Sequence, residues 1–187
     1  MKKILAIAAM ALLTLTASAQ KLGRVNFTEL YQLMPEADAA REQINAMQNE
    51  AQETFNTMVE EYNSKANQYQ QKSATWTAAI KEAKEKELVD IQNRIQDFQQ
   101  SISQELQQNQ AQLMNPIMEK AQKAVQDLAK AQGIAAVFDS SSALYFDETA
   151  VVDLTPAARK ALGIKEGRTL EQLQQELQAQ AAAQQAQ

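Results

Sequence analysis

Residues 36–132 contain no glycine and a single proline, Pro116, over 97 positions. Glycine and proline interrupt helices more strongly than any other residues, and this stretch is rich in Ala, Gln, Glu and Lys, so it reads as helix. One unbroken helix of that length would run about 145 Å at 1.5 Å per residue, with its apolar stripe left in water. The stripe needs a partner, and the nearest one is the same chain.

The apolar positions recur every eleven residues. In the first half Ile44, Phe55 and Ala66 form one row, Met47, Met58 and Tyr69 a second, and Ala51 pairs with Tyr62. In the second half Ile80, Ile91, Ile102 and Leu113 repeat beside Ile95, Leu106 and Ile117, with Leu88 and Phe98 between the rows. Spacings of three and four residues place each set on one helix face. A period of eleven is close to the natural helix, so two such arms pack nearly straight or with slight right-handed supercoil. The pattern stops at residues 72–77, where Ser73, Thr75 and Thr77 are good caps for a returning helix. The expectation is an antiparallel helical hairpin over 36–116 with its tip near 73–77, Trp76 included. Its seam of Ala, Met, Tyr and single Ile residues is thin, so the arms should bend readily.

Strand character appears outside the arm. Residues 22–27 alternate around Val25 and Phe27, and 134–138, 143–146 and 151–154 are short apolar runs separated by Asp- and Ser-rich turns. Gly133 is placed to end the long helix. Thr155 and Pro156 read as N-cap and first residue of another. The arm is therefore an insertion in a small β-rich body made of 20–35 and 117–163. A body of that size buries only about 60 % of its surface and is marginal alone. Its unpaired strand edges invite pairing with another copy. Val25, Phe27, Val137, Phe138, Leu144, Phe146 and Val152 are the candidates for that oligomer contact. Residues 164–187 form a Gln/Ala-rich tail. Leu170, Leu173 and Leu177 mark one or two turns of amphipathic helix, and 179–187 is expected to be disordered or frayed.

The first 19 residues have the parts of a cleavable secretory leader: Lys2 and Lys3, an apolar run over 4–15, and Ala17, Ser18, Ala19 before Gln20. The apolar run is too short to span a bilayer comfortably. Cleavage there would leave 16 basic residues against 23 acidic ones, a net charge of −7. That balance argues against nucleic acid as a partner.

Chemistry is poorly provided for. The chain has no His and no Cys, which removes the commonest general base, metal ligand and thiolate nucleophile. Four scattered glycines supply no phosphate loop. Ser140, Ser141 and Ser142 read as turn residues, and Glu60–Glu61 and Asp147–Glu148 as a solvated face and a turn. No catalytic residue, metal or cofactor is expected. Met47, Met58, Tyr62, Tyr69 and Trp76 are the candidates for adaptable apolar contacts with a partner. Trp76, at the tip, is also a candidate for sealing the hairpin or touching membrane headgroups.

The run Leu22, Gly23, Arg24, Val25, Asn26, Phe27, Thr28, Glu29, Leu30 ahead of Pro35 resembles the opening of the Skp/OmpH-like family of periplasmic chaperones. Residues 112–125, with Pro116 and Ile117, and 133–142, with Asp139 and its serines, resemble the same family's return helix and strand. The resemblance implies a homotrimer whose small β-barrel-like body carries helical arms around a cavity. It also implies ATP-independent holding of unfolded outer-membrane proteins there. Well-known members are strongly basic, whereas this chain is acidic. Its distal arm over 63–90 is nearly balanced, with five Lys against four acids, so no lipopolysaccharide site is carried over. The competing reading is a periplasmic coiled-coil spacer or adaptor, for which a denser seam would be expected.

Overall fold

A computed structural model describes residues 20–142 and 144–185. The expected leader, residues 1–19, lies outside them. The elements run β1 (Lys21–Val25), α1 (Phe27–Leu33), α2 (Pro35–Lys72), α3 (Ala78–Ala131), β2 (Ile134–Asp139), β3 (Val151–Asp153), α4 (Thr155–Ala161) and α5 (Leu170–Gln185). Short 3-10 turns occupy Ser73–Thr75 and Ser140–Ser142. The chain divides into two compact units, one from 32–119 and one from the described parts of 1–31 and 120–187.

The first unit holds the hairpin. Pro35 starts α2, where its missing N–H costs nothing and its fixed φ suits a first helical turn. The helix then runs 38 residues without a break. It ends at the 3-10 turn, and the hydroxyl of Thr77 accepts from the Ile80 N–H at 3.4 Å to cap the return. α3 is 54 residues long and continues through Pro116. That proline has no N–H to offer the carbonyl four residues back, yet the helix resumes on both sides. The polar crossings described below fix the antiparallel register of the two helices. Ile80, expected in the seam, is 44 % exposed. The opposing helix has already ended at Lys72, before it reaches that position.

The other unit is built on a three-stranded parallel sheet in the order β2-β1-β3, so β2 and β3 are its edges. One chain supplies an open sheet. Gly23 in the middle strand lets β2 come close, since a Cβ there would lie 3.2 Å from Ile134 Cγ2. Gly133 ends α3 at φ 65°, a left-handed conformation glycine adopts freely. The buried residues of this unit are apolar, among them Val25, Leu30, Val125, Ile134, Leu154, Ala158, Leu162, Ile164 and Leu173.

Four expectations are corrected. Phe27 does not continue the first strand but opens α1. Asn26 caps that helix: its Oδ1 accepts from the Glu29 N–H at 3.1 Å, and its Nδ2 donates to Glu29 Oε2 at 3.2 Å. The first bond satisfies a backbone donor of the first turn, and the second orients the Glu29 carboxylate that also receives Arg159. Residues 144–146, expected as a strand with Leu144 and Phe146 in the sheet, pair with no strand; Ala143 lies outside the described residues. Thr155 caps nothing in its own helix, because its hydroxyl accepts from the Asn26 N–H at 3.0 Å. The tail is helical from Leu170 to Gln185, and Leu173 is buried.

Candidate functional site

The arm is stabilised by surprisingly little core. Between residues 41 and 116, Ile91 is the one buried hydrophobic side chain among the described residues. The other seam residues, including Phe55, Leu88, Ile95, Phe98, Ile102 and Leu106, are half-buried. Around Ile91 the two helices are tied by polar crossings. Glu61 meets Arg94 at 3.6 Å, and the Tyr62 hydroxyl accepts from Gln92 Nε2 at 2.8 Å. Lys65 donates to Glu87, and the Tyr69 hydroxyl donates to Glu85. As the α2 position advances from 61 to 69 its partner falls back from 94 to 85, which is the signature of antiparallel helices.

These contacts perturb the groups that make them. Bonds from Lys65 and then Lys84 hold the Glu87 carboxyl at about 2, below its ordinary 4.5. The same bond to Glu87 raises Lys65 above 10.5. Donation to Glu85 raises the Tyr69 phenol above 10.0. Each shift favours the form already present at neutral pH. None prepares a proton donor or a nucleophile for chemistry.

The candidate contact residues are distributed rather than gathered. Met47 and Met58 are half-buried along α2. Tyr62 and Tyr69 are committed through their hydroxyls to the crossings. Trp76 is half-buried at the tip, its ring edge-on to Tyr69 at 5.7 Å and 68°. Nearer the other end of the hairpin an open cleft of about 470 Å³ separates the helices. Ala51, Phe55, Phe98, Ile102 and Leu106 line it, with Gln48, Gln52, Gln99 and Ser103 at its rim. Neither this cleft nor the crossings were anticipated. Opposite charges placed at matching distances on either side of the turn, such as Glu61 with Arg94, were the signal that could have found the crossings.

In the sheet-containing unit the candidates for contact between copies take different places. Val25 is buried, Val137 half-buried, and Phe138 and Val152 are 48 % and 38 % exposed. Phe27 packs on Tyr31 with ring centroids 5.7 Å apart. Leu144 and Phe146 lie in the loop before β3. A second, polar cavity of about 830 Å³ is lined by Arg24, Glu29, Asp153, Arg159, Lys160 and Glu166 among others. Its charges are largely used: Arg24 pairs with Asp153 at 3.1 Å, and Arg159 with Glu29 and the Arg168 carbonyl. Among the described residues there is no cluster of His, Cys, Asp or Glu able to hold a metal, and no helix long and apolar enough to cross a membrane.

A small parallel sheet joined in sequence to a long, weakly cored helical hairpin defines a helical-arm protein. The family described as Outer membrane protein (OmpH-like) matches residues 21–162, and the chain belongs to that family. Among solved structures, one from Caulobacter crescentus CB15, provisionally described as an outer membrane chaperone (OmpH-like), is similar in fold. Its TM-score is 0.69 at 13 % identity, over 78 % of this chain and 85 % of that one. No protein of curated function matches the sequence significantly.

Proposed function

We propose that the protein is an ATP-independent holdase of the periplasm. In this reading the arms of a homotrimer, joined through the sheet-containing units, enclose unfolded outer-membrane proteins and prevent their aggregation. Family membership makes a chaperone role the first choice. The observation that carries the holdase reading is the arm itself: 76 residues, 41–116, with Ile91 as their one buried hydrophobic side chain. A segment that spends so little apolar surface on its own core has that surface available to a client. Met47, Met58 and the cleft beside Phe55 and Phe98 offer adaptable, half-buried contacts of the kind that accept varied apolar partners. Many weak contacts inside one enclosure add up through effective concentration. Neither catalysis nor a nucleotide enters this account, and the expected leader would deliver the chain to the periplasm.

A refolding assay tests the reading. An unfolded outer-membrane β-barrel protein is diluted from denaturant with and without the mature chain, in the absence of nucleotide, while light scattering is followed. Suppression near one trimer per client is the expected result. A trimer that leaves aggregation unchanged would favour the spacer or adaptor reading instead.

A further inference from the structure

One wall of the polar cavity lies beyond the stretch that the OmpH-like family matches. Gly163, Glu166 and Gly167 line the cavity, and the match ends at residue 162. The loop that carries them is held in place. Arg159 Nη2 donates to the carbonyls of Lys165 at 3.1 Å and Arg168 at 2.7 Å, tying the loop to α4. Ile164 in the same loop is buried, and Gly163 and Gly167 take left-handed φ of 69° and 76° that glycine adopts freely.

Six charged side chains line this cavity of about 830 Å³, a volume within the range of small-molecule sites. Four of them are paired, Arg24 with Asp153 and Arg159 with Glu29. Lys160 and Glu166 are exposed and have no ion pair or hydrogen bond among the described residues, and the Ser140 hydroxyl has none either. Arg24 Nε is buried and has no hydrogen-bond partner there. A guanidinium keeps its proton at any accessible pH, so that N–H is a permanent donor whose burial without an acceptor is costly.

The unused groups define a ligand. Arg24, Ser140 and Lys160 offer donors to an oxyanion, and Glu166 offers an acceptor to an ammonium group. The six lining charges sum to zero. A multiply charged anion would therefore meet Glu29, Asp153 and Glu166 with no surplus of positive charge to hold it. A single carboxylate accompanied by an amine is held at both ends.

We infer that this cavity binds a small zwitterion, a short peptide with both ends free. Its carboxylate lies toward Arg24, Ser140 and Lys160, and its ammonium group toward Glu166. The site is in the sheet-containing unit and is independent of the holdase reading, which concerns long unfolded chains on the arm.

The four glycines make a sparse test. With the mature chain isotope-labelled at glycine alone, the Gly163 and Gly167 amide signals report on the cavity, and Gly133, outside its lining, is the control. Triglycine should move the first two signals saturably and leave Gly133 in place. N-acetylated and C-amidated triglycine, each lacking one charge, should bind about fivefold more weakly, near the upper end for a solvent-exposed charge pair. Glu166→Gln should weaken triglycine by a similar factor and leave the N-acetylated peptide unaffected, and Lys160→Gln should do the same for the amidated one. Both positions are exposed, and helical circular dichroism checks that the variants fold. Signals that stay fixed under excess triglycine overturn the proposal, since the cavity then holds water alone. Inorganic phosphate binding as tightly as triglycine makes this a plain anion site and overturns the zwitterion, and variants that bind like the parent overturn the assigned residues.

Discussion

Lys65 of α2 donates a hydrogen bond to Glu87 of α3, and Lys84 reaches the other oxygen of the same carboxylate at 2.8 Å. The three groups sit between the tip and Ile91, where the helices have almost no core to hold them. Ion pairs so open to solvent are individually weak and are screened by salt. Their contribution is to register, since only one alignment of the arms satisfies all the crossings together.

Acid should therefore loosen the distal arm. A carboxyl whose pKa falls on folding stabilises the folded form above its unfolded value, and that stabilisation is lost as pH drops through the folded value. For Glu87 the window runs from 4.5 down to about 2. Spin labels at the exposed positions Asn63 and Asp90 should separate across that window. In Glu87→Gln they should already be further apart at pH 7 and should lose most of the acid-dependent step. A step of unchanged size would remove Glu87 from this role.

Alkali should act through Tyr69. Its phenol is raised above 10.0 by donation to Glu85, so its neutral form is the stabilising one. That contribution is complete below 10.0 and is lost as pH rises through the raised value. Trp76, the single tryptophan, lies edge-on to the same ring and reports on it. Tyr69→Phe keeps the ring contact and removes the titrating hydroxyl. The alkaline change in Trp76 fluorescence should shrink in that variant, and an identical titration would show that another group is responsible.

The hairpin was legible because its signals are local and repeated: a long run without glycine, an eleven-residue recurrence, and a cap-rich break around Trp76. The body was legible only in part. Asn26 caps α1 through the Glu29 N–H, but the alternation around Val25 and Phe27 looked like a strand continuing. Thr155 had the right identity and position for a cap. What claimed its hydroxyl was a backbone N–H 129 residues away, at Asn26, which no local rule anticipates. The tail was misread on composition: Ala and Gln suit low complexity, yet both favour helix, and buried Leu173 anchors the start of it. The candidate contact residues were chosen by type, and residue type does not reveal that the Tyr62 and Tyr69 hydroxyls are engaged across the hairpin.

Gly23→Ala should destabilise the sheet. The added methyl would meet Ile134 Cγ2 at 3.2 Å and Val137 Cγ2 at 3.4 Å, side-chain methyls of β-branched residues on the neighbouring strand whose stiff χ1 gives them little room to move aside. Overpacking of this sort typically costs about 1–3 kcal/mol. Thermal unfolding should move down accordingly, while the distance between labels on the distal arm stays constant.

Ile91→Ala should loosen the arm without disturbing the sheet. Ile91 is 2 % exposed in a stretch where every neighbour in the seam is half-buried. Truncating a buried isoleucine costs about 2–5 kcal/mol, and a narrow two-helix seam that can close around the gap belongs at the low end. Hydrogen exchange should quicken on both helices around residues 58–66 and 87–95. Exchange unchanged there would mean that the polar crossings alone maintain the pairing.

Trp76→Ala separates the two roles open to the tip. The indole is half-buried against Tyr69, an arrangement worth about 0.5–1.5 kcal/mol beyond the area it covers. If sealing the hairpin is its task, the variant should unfold at lower temperature, and hydrogen exchange should rise at residues 69–80. Suppression of client aggregation should then hold at the parent's level, because the adaptable surface along Met47, Met58 and the Phe55–Phe98 cleft is untouched. Loss of suppression with unchanged thermal stability would make Trp76 a client contact instead.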